Sequence, residues 1–91
     1  MKNHNLALIE QVLKEGNIDS NLYSIGEYAE ESVCVFYNGE QYEVFVCERD
    51  NKYDCRRYYS AKEAGIDAVK RLMKKGPERD ALLEKIRNLV R

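Results

Sequence analysis

The chain has 91 residues, 44% of them hydrophobic and 34% charged, with a formal net charge of −1. That length holds one domain and one hydrophobic core, with no room for a second, and the composition is that of a globular chain rather than a disordered one. A charge near zero argues against a nucleic-acid-binding protein, and no apolar run reaches the roughly 18–20 residues of a membrane span.

Residues 5–15 read as a short helix. Leu6, Ile9 and Leu13 fall on one face beside Val12, and Gly16 is placed to end it as a left-handed C′ residue. The turn-rich stretch Asn17–Asn21 follows, then a short strand over Leu22–Ile25 closed by Gly26. The strongest signal is a hairpin. Residues 32–37 and 41–47 are rich in β-branched and aromatic side chains, and Asn38-Gly39 lies between them. A two-residue turn and a four-residue loop give the same faces, because they differ by an even shift. Val33, Val35, Tyr37, Tyr42, Val44 and Val46 share the core face. Ser32, Cys34, Phe36, Gln41, Glu43, Phe45, Cys47 and Arg49 share the other. That second face is either partly covered by a loop or terminus, or a surface on which Phe36 and Phe45 anchor a partner.

Residues 48–52 form a turn, and Tyr53–Tyr59 a third strand. Strict alternation puts Tyr53, Cys55, Arg57 and Tyr59 on one side, and Asp54, Arg56 and Tyr58 on the other. Ser60 and Glu63 make a capping box. It opens a helix that runs to about Lys75, with Ala61, Ala64, Ala68 and Leu72 as its inner stripe. Gly76 ends that helix and Pro77 starts another, in which Leu82, Ile86, Leu89 and Val90 form an apolar stripe. The expected fold is α+β: an antiparallel sheet of three or four strands with helices on one face, in the order α-β-β-β-α-α.

The net charge conceals a split. Residues 1–50 carry 3 Lys/Arg against 10 Asp/Glu, a balance of −7, and residues 51–91 carry 12 against 6, a balance of +6. Such asymmetry points to a charged partner. The apolar stretch Leu6–Ile9 is too short for a secretion signal, so a cytoplasmic location is expected. The odd count of cysteines (Cys34, Cys47, Cys55) fits reduced thiols. Their spacing, with His4 the lone histidine, offers no metal site.

No nucleophile elbow, phosphate-binding glycine loop or zinc-protease motif is present. His4 is poorly placed to act as a base, so no enzyme and no cofactor are expected. Two binding readings remain. The order α-β-β-β-α is also that of a double-stranded-RNA-binding module, which would use Lys62, Lys70, Arg71, Lys74 and Lys75. Against it, the acidic hairpin would repel phosphates. The other reading is an inhibitor of a basic protein. Between Glu27 and Asp50 stand seven acids and Arg49 alone. Carboxylates on rigid strands with aromatic neighbours suit a cationic partner, since opposite potentials speed association and aromatics supply buried anchors.

The run Tyr23-Ser24-Ile25-Gly26, an acidic step, Val33-Cys34-Val35, Gly39, Tyr42-Glu43-Val44-Phe45, Glu48-Arg49, Lys52, Asp54, Tyr58-Tyr59 and Ala64 resembles small bacterial immunity proteins of polymorphic and contact-dependent toxin systems. The resemblance spans roughly residues 20–75 and leaves out the last helix, Pro77 to Arg91. That group commonly has glycine after the glutamate–arginine pair, where this chain has Asp50. The resemblance implies a non-enzymatic antitoxin that binds a cognate toxin domain, with contact residues that differ from partner to partner. The expected contact set therefore comes from charge and face. Glu40, Glu43, Glu48 and Asp50 supply charge, and Phe36 and Phe45 supply burial, against a basic toxin such as a nuclease. The alternatives are the RNA-binding module and an adaptor that dimerises through its last helix. No membrane partner is expected.

Overall fold

A computed structural model describes residues 3–90 of the chain. Met1, Lys2 and the final residue of the expected last helix, Arg91, lie outside the described residues. The elements run α1 (His4–Glu15), β1 (Tyr23–Ile25), β2 (Ser32–Tyr37), β3 (Tyr42–Glu48), β4 (Asn51–Tyr58), α2 (Ala61–Leu72) and α3 (Pro77–Leu89), with a 3-10 turn at Ser20–Leu22. The fold is α+β, with helices on one face of a four-stranded sheet of order β1-β2-β3-β4. Two features depart from the expected architecture. The short strand at Tyr23 is a full member of the sheet, giving α-β-β-β-β-α-α, and it lies parallel to β2, so the sheet is mixed.

The parallel pair explains itself by length. Parallel neighbours ordinarily need a crossover of a dozen or more residues. Here only Tyr23–Ile25 pair with Val33–Val35, a span of roughly 7 Å at 3.3 Å per residue. Residues 26–31 are long enough to return over that distance. They cross the sheet face opposite the helices, and the segment is called the strap below.

Helix α1 is capped by Asn3, whose side chain accepts from the Leu6 N–H at 2.8 Å. It buries Leu6, Ile9, Val12 and Leu13. Gly16 is not its left-handed terminator: Gly16 has φ −79°, and Asn17 takes φ 57°. The amides of Asn17 and Ile18 bond back to the carbonyls of Lys14 and Leu13, which is a Schellman ending shifted one residue along. Gly16 is instead a packing glycine, since a Cβ there would meet Leu82 Cδ1 at 2.4 Å.

The β2–β3 connection is the four-residue loop, with Tyr37 opposite Tyr42. Asn38 organises it by accepting the N–H groups of Glu40 and Gln41 on its side-chain oxygen at 2.9 and 2.8 Å. The expected core face holds: Val35, Tyr42 and Val44 are buried, and Val33 and Val46 half-buried. Tyr37, at the rim, is exposed and stacks on Tyr42 with centroids 4.7 Å apart.

Strand β4 breaks its expected alternation. A bulge between Val44 and Val46 sets Asp54 and Cys55 opposite one residue of β3, with Asp54 at φ 51°. The extra residue flips the phase, so Tyr53 shares the helix-side face with Arg56 and Tyr58, while Lys52, Cys55 and Arg57 share the other. Period-2 reasoning cannot see a bulge, and the expected grouping of Tyr53 with Cys55 and Arg57 fails for that reason.

Ser60 caps α2 by accepting from the Glu63 N–H at 3.4 Å. The helix buries Ala61, Ala64, Gly65, Ala68 and Val69 and stops at Leu72 rather than Lys75, because Met73 is already extended. In α3 the buried set is Leu82, Leu83 and Ile86, followed by Val90. Leu83 takes the inner place expected of Leu89, which is 45% exposed. All three helices and the sheet share one core. The three helices meet closely at Gly65, where an added Cβ would stand 3.1 Å from Ile86 Cγ2 and 3.3 Å from Ile9 Cγ1. In an exposed helix alanine would gain about 1 kcal/mol over glycine. In this three-helix contact, overpacking of about 1–3 kcal/mol outweighs that gain. Gly65→Ala should therefore lower the urea midpoint.

Candidate functional site

The outer face of the sheet, away from the helices, is not bare. Cys34, Phe45 and Cys47 form a second small apolar cluster, with Phe36 and Cys55 against it. The strap covers it. Tyr28 packs on Phe36 and Phe45 with ring centroids 5.3 and 5.5 Å away. The Lys52 ammonium lies 5.0 Å from the Phe45 ring centre and 5.6 Å from that of Tyr28, close enough for cation–π attraction. Of the two expected aromatic anchors, Phe45 is thus fully buried within the protein, at 0% exposure, and Phe36 half-buried. Phe45 has no surface left to offer a partner, which corrects its expected role.

Glu43 is also internal, at 5% exposure. Its carboxylate accepts from Lys52 Nζ at 2.7 Å, Arg57 Nε at 3.0 Å and Asn38 Nδ2 at 3.3 Å. A buried carboxylate needs such partners to offset lost hydration. The hydrogen bond from Lys52 is the largest influence holding the Glu43 carboxyl below its ordinary range. Glu43 therefore joins the β2–β3 loop to β4 rather than supplying free charge.

The remaining expected acids are exposed but not together. Glu40 sits in the β2–β3 loop. Glu48 and Asp50 sit at the other end of β3, which is roughly 20 Å long at 3.3 Å per residue. The structure gathers a different acidic set there. Exposed Glu30 and Glu31 of the strap meet exposed Glu48 and Asp50 of the β3–β4 turn. The Glu30 carboxylate accepts the Arg49 N–H at 2.7 Å and the Asp50 N–H at 3.0 Å. The Glu31 N–H donates to the Cys47 carbonyl at 2.7 Å. Arg49 and Asp50 both have positive φ, 51° and 65°, the geometry of a type I′ hairpin turn that favours glycine at its second centre.

Tyr28 (54% exposed) and Glu30 were not among the expected contact residues. Periodicity carries no signal for either, since both lie in a loop whose course depends on the parallel β1–β2 pair. The Cys34 and Cys47 thiols are pushed up by burial, the opposite of nucleophile activation. Among the described residues no group of three or more His, Cys, Asp or Glu side chains is arranged to hold a metal, and no helix is long and apolar enough to cross a membrane. Of the basic residues considered for RNA, Arg71 is taken up at 2.8 Å by Asp67 and at 2.7 Å by the Asp54 carbonyl. Lys70, Lys74 and Lys75 are exposed and Lys62 half-buried.

The lowered Glu43 pKa fixes a pH dependence. A carboxyl depressed in the folded state stabilises it above the ordinary value of 4.5, and that contribution is lost as pH falls through the native value. Glu43→Gln should cost about 1–2 kcal/mol at neutral pH, discounted for the partial exposure of both cationic partners. It should also flatten the decline below pH 4.5, which urea midpoints measured across pH would check. The chain matches no family model, and no curated protein or solved structure is detectably similar to it.

Proposed function

We propose that the protein is an immunity-type inhibitor, a non-catalytic domain that binds a cationic toxin domain, such as a nuclease, and blocks it. The contact surface in this reading is the acidic edge made by the strap and the β3–β4 turn. Glu31, Glu48 and Asp50 supply charge, and Tyr28 supplies aromatic area beside them. The observation that carries the reading is the Glu30 clasp, which fixes two acidic segments nearly twenty residues apart as one edge. Fixed carboxylates complement a basic cleft without first having to be ordered. The resemblance of the Tyr-Glu-Val-Phe run into Glu48-Arg49 to immunity proteins supports the same class. Glu40, at the far end of β3, lies outside this surface.

The test is to look beside this gene for one encoding a large secreted protein with a short toxic C-terminal domain, and to measure binding to that domain and protection against it. Purified protein should bind that domain and protect cells expressing it. Failure of both overturns the reading. The double variant Glu48→Lys/Asp50→Lys should slow association about tenfold or more at low salt and flatten its salt dependence. Unchanged association with protection intact would place the contact elsewhere. Asp50→Gly separates fold from contact. It relieves a left-handed non-glycine residue, gaining about 0.5–1 kcal/mol of stability, yet it should bind more slowly.

A further inference from the structure

The sheet has two edges. β1 is three residues long, whereas β4 runs eight residues and, among the described residues, pairs only with β3. Half of its backbone N–H and C=O groups therefore face away from the sheet. The bulge divides this edge in two. At Asp54 the carbonyl is occupied by Arg71 Nη2 at 2.7 Å, so a strand added there would have to displace a guanidinium. Beyond the bulge the edge resumes through Cys55–Tyr58.

Beside that half lies an open cleft of about 240 Å3 between β4 and α2. Ile66 and Tyr58 contribute apolar surface, and Arg56 and Lys70 are exposed. The cleft's carboxylates are not equivalent. Asp67 is held by Arg71 and by the Tyr58 hydroxyl at 2.6 Å, which leaves Glu63 alone to balance two cations. Neither Arg56 nor Lys70 has a carboxylate at ion-pair distance among the described residues. On the other side of the strand Arg57 keeps its side chain 57% exposed while contacting Glu43.

We propose that the β4 edge from Cys55 to Tyr58 is a docking site for an extended segment with acidic side chains, which adds to the sheet as a fifth strand. Backbone pairing would supply affinity, and the Arg56–Lys70 cleft would select an acidic side chain on the helix side of the incoming strand. The same charges reject a second copy of this chain. A two-fold antiparallel pairing about this half would set Arg56 or Arg57, according to register, against its own counterpart, and like charges directly opposite are destabilising. Charges on an edge commonly prevent all pairing; here their single sign leaves one class of partner admissible. This surface draws on the positive half of the chain and does not rest on the inhibitor reading.

The experiment is a two-dimensional amide NMR titration of the intact protein with a short capped peptide of alternating glutamate and valine, and with its lysine-for-glutamate counterpart. The glutamate peptide should give saturable shifts at Cys55–Tyr58 and Lys70 that weaken with salt, and the lysine peptide none. Arg56→Glu/Lys70→Glu should weaken the glutamate peptide about tenfold or more and admit the lysine peptide. The spectra themselves report whether the variant is folded. Absence of saturable shifts, equal response to both peptides, or shifts centred elsewhere would overturn the proposal. Toxin binding is a separate readout, so either proposal can fail alone.

Discussion

A four-stranded sheet that is apolar on both faces needs two covers, and this chain has helices for one. The residues that alternate inward along β2 and β3 meet α1 and α2, and those that alternate outward include Cys34, Phe45 and Cys47, all nearly inaccessible. Burying them contributes on the order of 25 cal/mol per Å2 of apolar surface, too much for a small domain to leave in water. The solution is local. A strand of three residues is short enough for a six-residue strap to turn back across the outer face and still pair in parallel. The mixed sheet, the placement of Tyr28 and the gathering of acids at one end all follow from that return path.

The charges then sort by what the cover leaves available. Glu43 is buried on the same outer face and is satisfied by Lys52, Arg57 and Asn38. Glu30 serves at its end as a backbone acceptor. Glu31, Glu48 and Asp50 remain in water at the same end. On the other side of the molecule, Arg71 and Asp67 neutralise each other against β4 and leave Arg56 and Lys70 exposed. The bipolar composition thus becomes two surfaces of opposite sign, while the interior pairs cancel.

Much of the fold was legible because it depends on short-range periodicity. The hairpin faces, the Ser60 cap, the proline start of α3 and the inner stripe of α1 each appear in the observed structure. What was not legible depends on contacts far along the chain or on backbone geometry with no residue signature. The bulge at Asp54 reverses the side-chain phase within one strand. The strap's path makes Phe45 internal, and Lys52 and Arg57 of β4 do the same for Glu43, although both alternate onto the polar face. Asn17, not Gly16, takes the left-handed conformation that ends α1, and Gly16 instead packs on Leu82, a contact between residues 66 positions apart. Of the six expected contact residues, Glu48 and Asp50 share one surface, Glu40 stands at the opposite end, and Phe36 is half covered.

The Glu30 clasp also makes the domain self-reporting. Amide protons at the apex of an exposed hairpin turn ordinarily exchange with water rapidly, because nothing inside the turn accepts them. Those of Arg49 and Asp50 are instead held by a carboxylate from 19 and 20 residues earlier in the chain. Their exchange is therefore slowed for as long as the Glu30 carboxylate stays on the turn. Two proton positions thus report whether the end of the strap is seated on the β3–β4 turn, at the edge a partner would touch.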